Sequence, residues 1–380
     1  MCGISGAFCN KNFSEKSIIE MVNTITHRGP DDMGTWSDYK NKIFLAHRRL
    51  SIIDLSNNGH QPMISASGRY ILVFNGEIYN HNYLRKEYFD GYQWHSNSDT
   101  ETILASFDKW GVEKSLPYFR GMFAMAVWDK KDETLSLIRD RFGEKPLYFY
   151  NGNEGLIFAS ELKAIKSLLK KKPTINQDAL SIFLSLSYIP APLSIYKNIY
   201  KLEVGSIYKF SSSENFNSKK FWSLEDKYLI GRQNSYKGTD EEAIDNLEKI
   251  LKDSLSLQSI SDVPIGAFLS GGIDSSLITS ILQANSSKSI KTFTIAFNSK
   301  EFDESIFAKK ISSHLGTDHT EFLVTSKEAL DVIPNLSSIY DEPFADSSQI
   351  PTYLVSKLAK SKVTVAITGD GADELFGGYN

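Results

Sequence analysis

Two regions of this sequence carry residues whose types and spacing can do chemistry. The first opens the chain, where Met1-Cys2-Gly3-Ile4 puts a thiol at position 2. Removal of Met1, which the small Cys2 side chain permits, would leave Cys2 with a free α-amine. Such an amine ordinarily titrates at about 7.7–8.0. It can take the thiol proton directly or through water, so no separate histidine is needed. On position alone the simpler reading is a small buried residue in a first strand, Cys2–Phe8. Three further segments bear on the choice. Asn75-Gly76-Glu77 ends a strand and offers a side-chain amide and a backbone N–H, donors suited to the oxyanion of a tetrahedral intermediate. Asn-Gly is also the usual signal of a type I′ turn. His47-Arg48-Arg49-Leu50 sets two guanidiniums beside a strand; one could hold a carboxylate bidentately, or both could form a solvated basic face. Asp99, in Ser98-Asp99-Thr100-Glu101, could hold an ammonium, although Ser98 and Glu101 also spell a helix capping box.

The second region begins at Ser270-Gly271-Gly272-Ile273-Asp274-Ser275-Ser276, between a strand pattern and a helix pattern. Two glycines let the backbone approach an anion closely. The N–H groups and the helix N-terminus face that anion, and the serine hydroxyls add donors. Asp274 supplies a hard oxygen ligand for Mg²⁺ beside phosphates. The chain has no Gly-Lys pair, hence no Walker A loop, and no complete G-x-G-x-x-G. A Gly-Ser turn opening a helix, with Asp near its positive end, is the alternative. Gly369-Asp370-Gly371-Ala372-Asp373-Glu374 follows another strand. Its three carboxylates on a glycine-flexed turn suit Mg²⁺–pyrophosphate better than a packed core; an acidic helix N-terminus would be spelled similarly.

The elements that must position these residues differ between the two parts of the chain. Before residue 210 the pattern is hairpins: Met122–Trp128 with Thr134–Ile138, and Leu147–Tyr150 with Leu156–Ala159. Tyr70–Phe74 reads as a strand stopped by Asn75-Gly76. Helical spacing appears at Ile18, Ile19, Val22, Ile25 and at Ile103, Leu104, Phe107, Trp110. Antiparallel sheets with segregated helices predict an α+β domain over 1–210. Residues 211–238 are rich in Ser, Asn and Lys and read as a linker. A capping box, Thr239 with Glu242, then opens a helix with Ile244, Leu247, Leu251 and Leu255 on one face. From Val263 on, strands (Val263–Leu269, Thr292–Phe297, Val363–Thr368) alternate with helices (Ser275–Leu282, Ser305–Leu315, Ile350–Lys360), which predicts a doubly wound parallel sheet over 239–380. The 380 residues carry 41% hydrophobic and 23% charged side chains, ordinary for globular domains. Acids exceed bases 46 to 42 with no dense basic block, so nucleic acid is not an expected partner. Two cysteines, Cys2 and Cys9, fit a reducing compartment. No apolar run is long enough for a membrane helix, and no signal-peptide pattern is read at the N-terminus. The expectation is a soluble cytoplasmic protein, with Cys9 a core thiol.

The first 200 residues resemble the glutaminase domain of class II, N-terminal-nucleophile glutamine amidotransferases. The resemblance rests on Met1–Ile4, His27-Arg28-Gly29-Pro30-Asp31, His47–Ser51, Asn75-Gly76-Glu77-Ile78-Tyr79-Asn80, Ser98-Asp99 and Arg139-Asp140-Arg141-Phe142-Gly143. It implies a four-layer αββα sandwich, with Cys2 as nucleophile and Asn75 and Gly76 as oxyanion hole. It also implies that Arg49 holds the glutamine carboxylate and that Glu77 and Asp99 lie at its amino end. The remainder resembles the ATP-pyrophosphatase-type synthetase domain of glutamine-dependent asparagine synthetases. Here the matching segments are Ser270–Ser276, Gly369–Tyr379, Asp303-Glu304-Ser305 and Asp341-Glu342-Pro343. This implies ATP and Mg²⁺ as cofactors, Asp274 and Asp373 as Mg²⁺ ligands, and Ser270, Gly271, Gly272, Ser275 and Ser276 on the pyrophosphate. Leu269, Ile295 and Gly369 would lie near the adenosine. Asp370 stands where some members have Glu and would assist amidation. The family reaction passes ammonia from glutamine to aspartate activated as an acyl adenylate. Relatives acting on another carboxylate, or a regulatory protein with an inactive synthetase half, are the alternatives. A homodimer is compatible with the family. Family members continue past the second signature, so the 380 residues are expected to be a fragment lacking part of the acceptor pocket.

Overall fold

The strand Ile43–Arg49 is apolar on both faces. Successive side chains point to opposite sides of a sheet, so Ile43 and Leu45 enter one buried cluster while Phe44 and Ala46 enter another. The strand Tyr70–Ile78 does the same: Ile71 and Val73 face the first cluster, Tyr70, Leu72 and Phe74 a third. A strand covered on both sides requires two layers around each sheet, and two such sheets sharing one face give four layers.

That is the architecture of the first unit in the computed structural model, which describes residues 1–8, 13–211, 216–297 and 303–378. Its strands in chain order are β1 Gly3–Phe8, β2 Asp32–Asp38, β3 Ile43–Arg49, β4 Met63–Ile64, β5 Tyr70–Ile78 and β6 Gly121–Asp129. They continue with β7 Thr134–Arg139, β8 Tyr148–Gly152, β9 Gly155–Ala159, β10 Ile199–Lys201, β11 Ser206–Phe210 and β12 Phe216–Lys220. They form two antiparallel sheets, ordered β10-β8-β9-β1-β3-β2 and β12-β11-β7-β6-β5-β4. Ile4, Phe8, Leu45, Val73, Ala126, Trp128 and Leu137 fill the space between the sheets. The helices Glu15–Asn23 and Leu162–Leu168 cover the outer face of the first sheet through Met21, Val22, Leu162 and Ile165. His81–Tyr88 and Asp99–Trp110 cover the second through Leu84, Ile103 and Phe107. The αββα expectation holds.

The described chain divides into Met1–Ser235 with Tyr340–Ala345, and Tyr236–Ile339 with Asp346–Asn380. In the second unit, β13 Ile265–Phe268, β14 Lys291–Phe297, β15 Asp318–Val324 and β16 Val365–Ile367 make a parallel sheet ordered β15-β14-β13-β16. Ala267, Ile265 and Ile367 pack against Leu255, Ile281 and Leu282 from the helices Asp240–Gln258 and Ile273–Ala284. Phe268, Phe293 and Phe322 pack with Val355 and Ala359 of the helix Gln349–Ala359. Helices therefore cover both faces, as the doubly wound pattern predicts. The Thr239–Glu242 capping box is formed in both directions.

Four expectations change. The strand expected to stop at Phe74 runs on to Ile78, because Asn75, Gly76 and Glu77 pair with Ala124, Phe123 and Met122. Cross-strand pairing overrides the local Asn-Gly turn preference. The 211–238 segment is not wholly a linker. Phe216–Lys220 is an edge strand on β11, and Leu224–Gln233 is a helix capped by Ser223. Both are solvent-facing, so their low apolar content concealed them. β15 is missing from the sequence reading: its inner residues Phe322 and Val324 alternate with Glu321 and Leu323 in too weak a pattern. Lastly, only the C-terminal half of the Ile244–Leu255 face is covered; Ile244 is 64% exposed and Leu255 4%. Cys9 and Tyr379 lie outside the described residues.

Candidate active site

Cys2 immediately precedes β1, and its backbone is held from the side. Arg28 Nε donates to the Cys2 carbonyl oxygen at 2.9 Å, and Ile4 N–H donates to Ser160 Oγ at 3.0 Å. Its sulfur sits at the end of β3, 3.4 Å from the Leu50 N–H that donates to it and 3.6 Å from the Leu50 carbonyl oxygen. Burial pushes the Cys2 thiol up, opposed by the Leu50 backbone, then by the amino terminus and Arg49. The thiol therefore rests protonated and needs a base. While Met1 is attached the Cys2 nitrogen is an amide and cannot serve; once Met1 is removed it is an amine and can.

Asn75 faces this sulfur's cavity from the other sheet. It is 1% exposed, and neither its Nδ2 nor its Oδ1 has a hydrogen-bond partner within the chain. Buried amides are nearly always satisfied, so an orphaned one lining a cavity is built for something that arrives there. Gly76 follows, where a methyl group would fall 2.2 Å from the Met122 carbonyl oxygen; only glycine lets β5 approach β6 this closely. Glu77 Oε1 is likewise buried without a partner. Burial, then the neighbouring Asp99, pushes the Glu77 carboxyl up to about 8 against the pull of Lys145. Asp99 opens the helix Asp99–Trp110, and its Oδ2 accepts the Ile78 N–H at 2.8 Å. Burial raises its carboxyl and His81 opposes the rise. Ser98 caps that helix through the Thr100 N–H, but Glu101 turns to the His95 and Ser96 backbone, so the two do not form a box. Arg49 at the end of β3 is buried, one guanidinium nitrogen 2.8 Å from the Ser56 carbonyl and another on that of Asp54.

Cys2, Arg49, Asn75, Gly76, Glu77 and Asp99 thus line one cavity, gathered from two strands, the residue that leads into a third and a helix terminus. Lys145 lines it too, and the sequence reading did not single it out. It is 5% exposed, and burial depresses its ammonium, with Arg28 adding to the effect. Its position is fixed by Asp140, whose carboxylate accepts the N–H groups of Phe142, Gly143, Glu144 and Lys145 at 2.6–3.1 Å. The signal available in sequence was its place two residues past Arg139–Gly143.

In the second unit, β13 and β16 are neighbours, and both signatures leave the same ends of these parallel strands, where α/β sheets bind ligands. Gly271 has φ +94, and a side chain there would meet Phe307 Cβ at 2.8 Å. Ser270 Oγ and Ser275 Oγ lie 2.9 Å apart, and Ser270 Oγ accepts the Gly272 N–H at 3.2 Å. Ser276 Oγ donates to the Gly272 carbonyl at 2.5 Å. The loop is shaped by its own hydroxyls at the N-terminus of Ile273–Ala284. Gly369 packs on it: a Cβ there would lie 3.1 Å from Asp274 Cβ. Partial desolvation and the facing Asp274 raise the Asp373 carboxyl. Two like charges brought together in this way suit a divalent cation. Among the described residues no three His, Cys, Asp or Glu side chains converge as a metal site, so phosphate oxygens and water would have to complete the coordination. Asp370 is exposed, its Oδ2 accepting the Thr368 hydroxyl at 3.0 Å. Leu269 is packed away at 1% exposure, and Ile295 packs partly against Val324 and Leu354.

An αββα sandwich with a cysteine at the mouth of one sheet and an unsatisfied amide on the other, followed by a parallel nucleotide-type sheet, defines an amidotransferase joined to a synthetase domain. Residues 1–222 match the family described as glutamine amidotransferase domain, and residues 246–380 the family described as asparagine synthase. The chain belongs to the glutamine-hydrolysing asparagine synthetase family. It is 38% identical, over its whole length, to a putative asparagine synthetase of Methanocaldococcus jannaschii, of which it spans 76%. It is 36% identical to asparagine synthetase 1 of Bacillus subtilis, spanning 59% of that protein, and 31% identical to asparagine synthetase B of Escherichia coli, spanning 65%. Among the described residues no helix is long and apolar enough to cross a membrane.

Proposed function

We propose that the first unit hydrolyses glutamine and the second uses MgATP to activate the side-chain carboxylate of aspartate, which the released ammonia then converts to asparagine. The observation that carries the first half is the orphaned Asn75 amide opposite Cys2. In this reading the α-amine freed by loss of Met1 takes the Cys2 proton. The thiolate attacks the glutamine side-chain carbonyl, and the oxygen that gains charge is met by Asn75 Nδ2 and the Gly76 N–H. The α-ammonium returns its proton to the leaving nitrogen as the tetrahedral species collapses, which expels ammonia, and water then hydrolyses the glutamyl thioester. Arg49 takes the glutamine carboxylate; Asp99 and Glu77 take its ammonium. In the second unit, Asp274 and Asp373 would hold Mg²⁺, which supplies charge neutralisation on the phosphates. Ser270–Ser276 would seat the pyrophosphate, and Asp370 would assist amidation.

Glu77 gives this reading a pH signature. Its carboxyl is pushed up to about 8 by burial and by the neighbouring Asp99. Only its ionised form attracts an ammonium, so glutamine binding should strengthen as pH rises towards 8. KM for glutamine is expected to fall several-fold between pH 6.5 and 8, and Glu77→Gln should flatten that dependence.

The acceptor is tested by pyrophosphate release from ATP in the presence of ammonia with aspartate or a panel of other carboxylates. Aspartate is expected to stimulate release most strongly. Rejection of aspartate with turnover of a sugar acid or a peptide carboxylate would shift the assignment to the related amidotransferases.

A further inference from the structure

The segment Tyr340–Ala345 folds with the first unit, although the residues on both sides of it in sequence belong to the second. Two carboxylates fasten it there. Glu342 forms an ion pair with Lys201 and accepts the Ile195 N–H at 3.2 Å. Asp341 accepts the Lys163 N–H through Oδ2 at 3.0 Å and stands 3.5 Å from Lys163 Nζ through Oδ1. From Glu342 the contacts run through Lys201 to the Ile189 carbonyl oxygen and not towards Cys2. At Asp341 they continue inward. Lys163 Nζ lies 2.8 Å from Glu161 Oε2, and Glu161 Oε1 accepts from Arg28 at 2.8 Å. Arg28 Nε in turn donates to the Cys2 carbonyl oxygen at 2.9 Å.

We propose that Asp341 is a positioning residue for the Cys2 nucleophile, acting through Lys163, Glu161 and Arg28; this rests on the reading of Cys2 as the glutaminase nucleophile. The charges along the line balance, two cations against two carboxylates. The four side chains are only 10–24% exposed, so water screens them little. Glu161 is shared between Arg28, Lys163 and His27, whose Nε2 lies 2.9 Å from Oε1. With Asp341 charged, the Lys163 ammonium is divided between two carboxylates. Without that charge it is drawn more strongly to Glu161, and Glu161 gives less to Arg28. The Arg28 bond is what fixes the Cys2 carbonyl, hence the direction of its sulfur and of its future amine. Small misplacements of reacting groups cost rate more than binding.

The test compares Asp341→Asn with Glu342→Gln in the full chain. Glu342 fastens the same segment but lies off the line to Cys2. Asp341→Asn is expected to lower kcat for glutamate release from glutamine about five-fold with KM within about two-fold, the scale of one weakened charged hydrogen bond. Glu342→Gln should leave kcat unchanged. Lys163→Met, which cuts the line from its other side, should match Asp341→Asn. In an Arg28→Met background Asp341→Asn should have no further effect, the non-additivity expected of one network. Equal losses from Asp341→Asn and Glu342→Gln, or fully additive losses from Asp341→Asn and Arg28→Met, would overturn the proposal. If the unsubstituted chain hydrolyses no glutamine, the nucleophile reading is what fails. The same variants are then compared by the iodoacetamide alkylation rate of Cys2, read by peptide mapping. A five-fold change confined to Asp341→Asn and Lys163→Met upholds positioning, and equal rates across the set overturn it.

Discussion

Cys2→Ala is expected to remove glutamate release from glutamine, by roughly 10⁴-fold or more, the scale seen when a covalent nucleophile is deleted. Pyrophosphate release supported by ammonia should stay at the level of the unsubstituted chain. The two outcomes separate because the cysteine lies in a cavity of the first unit, whereas Ser270–Ser276 and Gly369–Asp373 belong to the second. The variant should still bind glutamine, since Arg49, Glu77 and Asp99 are untouched, and calorimetry can read that directly. Undiminished glutamate release from purified Cys2→Ala would exclude a thioester route. Cys2→Ser keeps a hydroxyl in place of the thiol and should fall between the two, because the weaker nucleophile is still next to its amine.

Asn75→Ala is the second large effect, expected at 10²–10³-fold in kcat, about 2.7–4 kcal/mol of transition-state stabilisation. In the resting chain its amide has no hydrogen-bond partner within the chain to lose on truncation. Melting temperature should therefore be nearly unchanged, or rise slightly with relief of the buried polar group. The contrast between a large kinetic loss and intact stability is the discriminating readout. A structural amide would lose both together. KM should move little if the amide meets charge that develops only after attack.

Much of the fold could be read in the chain because its signals are local. The Thr239–Glu242 box and the 122–138 hairpin each depend on residues a few positions apart, and both are formed as expected. The site residues from Cys2 to Asp99 were legible one segment at a time, and the cavity unites them. What escaped reading depends on distance in sequence or on edges. Whether Asn75-Gly76 turns or continues is decided by Phe123 and Ala124, some fifty residues away. Arg28 sits inside a segment that was recognised, but its task is set by Glu161, 133 positions later. Lys145 is an ordinary lysine until Asp140 and the sheets bury it. The edge strand Phe216–Lys220 is exposed along its length and packs through Phe216 alone among its apolar side chains, too little to leave an alternating pattern.

The proposed nucleophile and the amide proposed to serve it stand on different sheets: Cys2 leads into β1, and Asn75 lies within β5. Their spacing therefore depends on how closely the two sheets pack, which here is close enough for His47 of β3 to reach the Phe74 carbonyl of β5 at 3.0 Å. Ile4, Leu45, Val73 and Ala126 act as shims in this respect. Trimming or enlarging one of them retunes a reaction distance from inside the molecule, with no change to any residue that substrate would touch. The interior of the sandwich would thus be part of the tolerance of its chemistry.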